Sequence, residues 1–264
     1  MTFDVSADAY ARFMGRFSEP LAVQFVELAQ VRAGDRALDV GCGPGGLTAR
    51  LAERLGAEAV SAIDPSESFV AAIRARLPEV DVRSGVAEQL PFPDDSFDLA
   101  LAQLVVHFMT DPVAGLREMA RVTRPGGLVA ACVWDHAGGG GPLATFWQAV
   151  QAIDPQARDE SGLAGAREGH LAELCETAGL THIEPRSLTV NVRFATFADW
   201  WQPFTLGVGP AGAYVTSLDE ARRELLRARC ELLLPPAPFE VAASAWCVRA
   251  RSRVRPGPGP STRR

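Results

Sequence analysis

The chain contains no lysine; all 26 of its basic residues are arginine. This removes the phosphate-binding lysine of a P-loop, the Schiff-base lysine of pyridoxal phosphate chemistry and the Tyr-x-x-x-Lys pair of the short-chain reductases. Cysteine is scarce and unpatterned. Cys42, Cys132, Cys175, Cys230 and Cys247 are widely spaced, odd in number and form no Cys-x-x-Cys, which favours free thiols over disulfides or a zinc site. No apolar run is long enough to cross a membrane, and the N-terminus lacks the layout of a signal peptide, so a cytoplasmic location is expected. A net charge of −6 and a pI of about 5.3 supply no broad basic face, so nucleic acid is not an expected partner. No internal repeat and no Asn/Asp-Pro-Pro-aromatic motif is present.

What is present is a chain of 264 residues, 47% hydrophobic and 22% charged, able to bury a sizeable core. Its most informative stretch is Ala37-Leu38-Asp39-Val40-Gly41-Cys42-Gly43-Pro44-Gly45-Gly46. An apolar run meets glycines at alternate positions, and a helical pattern follows from Leu47 to Leu55. That predicts a strand, a tight turn and a helix, with bare backbone where a nucleotide-like ligand can approach. Gly41, Gly43 and Gly46 also satisfy the GxGxxG dinucleotide pattern, so the spacing by itself leaves an NAD-dependent oxidoreductase open.

Further strands are expected at 59–63, 80–83, 97–102 and 128–134, alternating with helices at 69–77 and 112–122 and preceded by a helix at 19–30. Arg124–Gly127 is expected as a turn. Such alternation implies a doubly wound, mostly parallel sheet covered on both faces. Beyond it, helices are expected at 143–152, 168–178 and 219–233, an irregular strand at 180–194 and a last strand at 239–250, for seven strands in all. The expected organisation is one domain over 1–250, with a helical arm at 1–30, a lid-like insertion at 197–237 and a disordered tail from Arg251.

Asp64 stands at the end of the second strand, where a carboxylate suits two ribose hydroxyls and repels a 2′-phosphate. Asp-Pro-Ser before a helix is equally a good N-cap. Asp39 stands where dinucleotide-binding folds place an apolar residue. An acid beside the glycine turn attracts a cationic group, which favours S-adenosylmethionine, a ligand with an ammonium and a sulfonium; capping of the loop by Asp39 is compatible with that role.

With these residues in place the chain resembles the class I S-adenosylmethionine-dependent methyltransferases of the broad type 11 group, which includes the ubiquinone/menaquinone-biosynthesis methyltransferases. The resemblance runs through residues 35–134: Leu38–Gly45, Asp64, Ala87-Glu88-Gln89-Leu90-Pro91-Phe92-Pro93 with Ser96-Phe97-Asp98, and Arg124-Pro125-Gly126-Gly127. Tyr10–Arg16 resembles the N-terminal arm of such enzymes.

The resemblance implies S-adenosylmethionine as cofactor and methyl transfer to a small-molecule acceptor, by a monomer or homodimer. An NAD-dependent oxidoreductase on the same glycine turn and an S-adenosylmethionine-binding protein without catalysis are the alternatives. Gly41, Cys42, Gly43, Pro44 and Gly45 would lie beside the methionine part of the cofactor, Asp64 and Pro65 beside the ribose, and Val86, Ala87 and Glu88 beside the adenine. Gln103 would border the transferred methyl. Relatives often carry Asp or Asn at the position of Val86, which cannot accept the adenine amino group; adenine recognition would then rest on Ala87 or Glu88. Arg16, with Tyr10 nearby, is a candidate clamp for the cofactor carboxylate. His107 and His136, after the fourth and fifth strands, are candidate bases. Trp200, Trp201 and Phe204 are candidates to roof an acceptor pocket.

Overall fold

The computed structural model describes residues 7–253. The described residues open with a short helix α1 (Ala7–Tyr10), which widens through a π-helical turn (Ala11–Gly15) and continues as α2 (Arg16–Ala29). There follow β1 (Ala37–Val40), α3 (Gly46–Leu55), β2 (Val60–Asp64), α4 (Glu67–Arg76), β3 (Asp81–Ser84), β4 (Phe97–Gln103), α5 (Pro112–Val122) and β5 (Thr123–Trp134). The remainder comprises α6 (Ala144–Ile153), α7 (His170–Ala178), β6 (Thr181–Phe194), α8 (Phe197–Trp201), α9 (Gly209–Ser217), α10 (Glu220–Leu233) and β7 (Phe239–Arg251).

The seven strands form one sheet in the order β3-β2-β1-β4-β5-β7-β6, parallel except for β7, which is antiparallel to both its neighbours. The doubly wound, mostly parallel sheet expected from the alternation of strands and helices is therefore present. Side chains alternate between its faces with the period of a strand. Leu99 and Leu101 of β4 and Ala130, Cys132 and Trp134 of β5 join the core under α2, α3 and the helices after β6. Ala100, Ala102, Val129, Ala131 and Val133 join the core under α5 and α7.

Local chemistry sets several helix ends. Asp111 caps α5 by accepting the Ala114 N–H at 3.0 Å, with Pro112 at the first helical position. Gly179, at φ 85°, closes α7.

The structure differs from the sequence expectation in three places. Arg124–Gly127 lies inside β5 as a bulge: Phe97 pairs with Thr123 and Leu99 with Leu128, so four residues oppose Asp98 alone. Gly127 is required there, since a Cβ would stand 2.7 Å from the Asp98 carbonyl oxygen. The strand at 180–194 is one long element paired with β7 through Phe194↔Phe239, with a single register shift near its start. Arg251, the expected start of the tail, ends β7 opposite Leu128 and Thr181. Residues 254–264 of the expected tail and 1–6 of the expected arm lie outside the described residues.

Within 197–237 the chain forms α8, a 3-10 turn (Gln202–Leu206), α9 and α10. Trp200, Trp201 and Phe204 are buried here. Phe204 stacks on Phe146 at 4.6 Å and meets Phe13 edge-on at 5.1 Å. A fully packed aromatic ring cut back to a methyl leaves a large void. Trp200→Ala is therefore expected to lower the stability of the fold by about 3–5 kcal/mol in urea titration; a loss under about 1 kcal/mol would show that the ring is not part of the core.

Candidate active site

β1 lies between β2 and β4, and the chain leaves them in opposite directions across the sheet. That is the switch point where an open α/β sheet parts above its strand carboxyl ends. A cleft of about 640 Å³ opens there, walled by the segments after β1, β2, β3 and β4 and by the N-terminal arm.

The glycine turn forms its floor. Gly41, Gly43 and Gly45 have φ of 67°, 53° and 87°, which L-residues with a Cβ rarely adopt. Their surroundings differ. A Cβ on Gly41 would meet Val105 at 2.5 Å, and one on Gly45 would meet Ile73 at 2.9 Å. One on Gly43 meets no protein atom within 4 Å, so the backbone there borders open cleft. The Gly41 and Cys42 N–H groups donate to the Ile63 carbonyl, which ties the turn to β2. Pro44 completes the wall.

Asp64 accepts the Gly43 N–H on one oxygen and the Ser66 N–H on the other, both at 2.8 Å. It thus joins the β1 and β2 turns and leaves a lone pair on each oxygen for ligand hydroxyls. The Ser66 side chain does not cap α4, and Asp64 holds the entry to that helix by accepting the Ser66 N–H. Burial pushes the Asp64 carboxyl upward in pKa against the pull of those two N–H donors. Asp39 is buried beneath the turn and accepts the Thr48 hydroxyl at 2.6 Å. Burial, opposed by the Thr48 bond and reinforced by the Asp64 charge, pushes its pKa up to about 7.

Pro65, Val86, Ala87, Glu88 and Gln103 line the same cleft. Val86 is exposed, whereas Glu88 is engaged: its carboxylate accepts the Thr110 N–H at 2.7 Å and the Asp111 N–H at 3.2 Å, fastening the loop after β3 to the loop after β4. Gln103 donates to the Ser18 carbonyl at 2.9 Å, and its Oε1 is buried with no hydrogen-bond partner among the described residues. Tyr10 reaches in from the arm and packs edge-on against Phe69 at 5.6 Å.

Six of the expected site residues lie elsewhere. Arg16 does not line the cleft: it pairs with Asp199 at 2.6 Å and lies over the Phe194 ring. It fastens the arm to α8 and is not placed as a carboxylate clamp. The cation on the cleft wall is Arg76, at the end of α4, which donates to the Gly45 carbonyl at 2.6 Å. Nothing in the motif marked it; a basic residue in the last turn of the second helix was the available signal. Trp200, Trp201 and Phe204 line neither this cleft nor the small cavity beside it, because their rings are engaged in the core. His107 and His136 are absent from the cleft and line that small cavity instead. Burial lowers the His107 pKa well below the ordinary histidine value and brings His136 down to about 4, so both imidazoles are neutral. Among the described residues no group of three or more His, Cys, Asp or Glu is placed to hold a metal ion, and no helix is long and apolar enough to cross a membrane.

A glycine turn at the switch point, an acid closing β2 and a buried acid beneath the turn make a site suited to a nucleotide-type cofactor. A family model described as a methyltransferase domain matches residues 38–131. The chain is 38% identical to an uncharacterised methyltransferase of Mycobacterium tuberculosis over 135 residues, 51% of this chain and 52% of that one. It is 41% identical over 110 residues to the ubiquinone/menaquinone biosynthesis C-methyltransferase UbiE of Stenotrophomonas maltophilia, 39% of this chain and 44% of that one. The chain thus spans about half the length of the curated relatives it matches. Among solved structures, the YcgJ protein of Bacillus subtilis superposes with a TM-score of 0.59 at 20% identity, covering 88% of this chain and 97% of that one, a likeness of fold.

The raised Asp39 pKa has a measurable consequence. Between the ordinary carboxyl value of 3.8 and about 7 the native state holds a proton that the unfolded chain has lost, so stability falls as pH rises through that window. The full effect is on the order of 4 kcal/mol. Asp39→Asn, which cannot ionise and still accepts from Thr48, is expected to match the parent near pH 4 and exceed it in stability at pH 8. Urea titrations at both pH values check this; equal stabilities at pH 8 would show that Asp39 is ionised without strain.

Proposed function

We propose that this protein transfers a methyl group from S-adenosylmethionine to a small-molecule acceptor. The observation that carries the reading is the buried acid Asp39 beneath the glycine turn. A carboxyl with a pKa near 7 at the edge of a cleft is stabilised as the anion by a cationic ligand, and a dinucleotide has no cation to offer at that point. The other residues fit the same cofactor. Asp64 has lone pairs to accept ribose hydroxyls, the cleft beside Gly43 is free of side chains, Arg76 can pair with a carboxylate, and Val86 gives the adenine an apolar face. The sulfonium of the bound cofactor supplies an activated methyl group. The chain's own contribution is to orient the acceptor and exclude water, which is worth on the order of 7–11 kcal/mol when the reacting atoms are aligned. His107 and His136, neutral through burial, act in this scheme as hydrogen-bonding groups and weak proton acceptors.

The reading is supported by the methyltransferase-domain match and by the fold, and calorimetry tests it directly. S-adenosylmethionine and S-adenosylhomocysteine should bind and NAD should not; tight NAD binding with no response to S-adenosylhomocysteine would sink the proposal. Asp64→Ala should weaken cofactor binding by about 1.5–3 kcal/mol, the range for hydrogen bonds to a charged group. Loss of the Gly43–Ser66 bridge adds to that figure, so a value above the range is compatible and unchanged affinity is not.

A further inference from the structure

Beside the cofactor cleft lies a second, smaller cavity of about 40 Å³. Tyr10, Leu104 and Phe108 line both, so the two adjoin. Its volume admits one or two groups the size of a water molecule, and not the body of a substrate.

The residues around it are unusual for a protein interior. Trp134 Nε1, His107 Nδ1 and His136 Nε2 are all buried, and none has a hydrogen-bond partner among the described residues. The two imidazoles stand edge to face, 5.9 Å apart between ring centres. Buried polar atoms left unpaired cost on the order of 1–3 kcal/mol each, and native interiors hold few of them. Three on one small cavity mark a place that a ligand group completes.

The chemistry of that group follows from the donors. The indole N–H of Trp134 can only donate, so the partner must accept. The neutral imidazoles can each donate or accept, so the partner is free to donate as well. No arginine lines the cavity, and the charged groups facing it are acids: Glu160 on its wall, and Asp135 and Asp159 acting on His136. A carboxylate or phosphate is disfavoured by that field. An ammonium suits the field but has no lone pair for the indole N–H. Glu160 is itself already bonded, accepting the Trp147 Nε1–H at 2.9 Å, and burial raises its pKa to about 7. A hydroxyl accepts from the indole, donates to an imidazole and carries no charge.

We propose that this cavity is the polar end of the acceptor site and receives the hydroxyl of an uncharged, phenol- or alcohol-type acceptor whose body lies in the adjoining cleft. The assignment rests on the methyltransferase reading for the word acceptor, but the cavity can be probed without the cofactor.

Phenol, toluene, benzylamine and benzoate are titrated separately into the protein, alone and with S-adenosylhomocysteine, while the imidazole nitrogen resonances of His107 and His136 are followed by NMR. Phenol is expected to shift both histidines saturably in either state, with toluene, benzylamine and benzoate about tenfold weaker or more. Trp134→Phe should reduce the preference for phenol over toluene by about fivefold. Because Trp134 lies in the core, His136→Gln serves as a second variant and should narrow the same preference with the fold retained. Benzylamine binding as tightly as phenol would overturn the proposal in favour of an amine-type acceptor. Absence of a phenol-dependent shift in protein that binds S-adenosylhomocysteine normally would leave the cavity a structural void. Phenol seated as expected in protein that fails to bind S-adenosylhomocysteine would instead sink the methyltransferase reading, and the acceptor role with it.

Discussion

The bridge made by Asp64 is the contact on which the site depends. One carboxylate joins the backbone amides of Gly43 and Ser66, and so holds the turn after β1 and the turn after β2 in a fixed relation. Other parts of the cleft are tied to the same pair of turns. The Gly41 and Cys42 amides reach back to β2, the Arg76 guanidinium returns from the end of α4 to the Gly45 carbonyl, and the Gly85 N–H donates to the carbonyl of Asp64 itself. Backbone donors suit this task because they are fixed by the strands and cost no side-chain ordering when a ligand arrives. The glycines are demanded by the same geometry. Two of the three are hemmed by Val105 and Ile73, and the third faces the space a ligand would fill.

A second constraint is electrostatic. Asp39 and Asp64 are both buried on one cleft, burial raises the pKa of each, and the Asp64 charge adds to the cost of ionising Asp39. An arrangement of that kind destabilises the empty fold at neutral pH, and only a positively charged or strongly donating ligand relieves it. Function and stability are opposed at this point, as they often are where a binding site is held ready in advance. The histidines next door show the opposite response to the same cause. Burial favours their neutral form, so these two rings offer uncharged donors and acceptors to the small cavity.

The parts legible in the sequence are those whose signal is local. Residues 37–46 specify strand, turn and helix through apolar run and glycine spacing, and Asp64 is found because an acid ends the next strand. Glu88 was legible as a cleft residue but not as a fastener, because its partners are amides in the loop after β4. The aromatic segment after β6 carried no local sign of its packing. Whether Trp200 faces a ligand or Phe204 is decided by α6 and the N-terminal arm, far away in the chain. Trp134 and Glu160 escaped notice for the same reason: neither belongs to a motif, and each matters through what it is buried beside.

Arg16 shows how such long-range pairing changes a functional assignment. As a residue type it suits a carboxylate, and its place on the arm is within reach of the site in sequence terms. In the fold its partner is Asp199, a contact that joins the arm to the first helix after β6. The pair is about one-third exposed on each side, so its direct contribution to stability is modest. Its effect is positional. Tyr10 and Phe13 lie just before Arg16 on the same arm; Tyr10 lines both cavities and Phe13 the smaller one, where it also packs on Phe204. By fixing the arm against α8, Arg16 sets where those rings stand, and through them the shared wall between the cofactor cleft and the small polar cavity. The arginine bears on the site through the shape of its boundary, and the cation facing the cleft is Arg76.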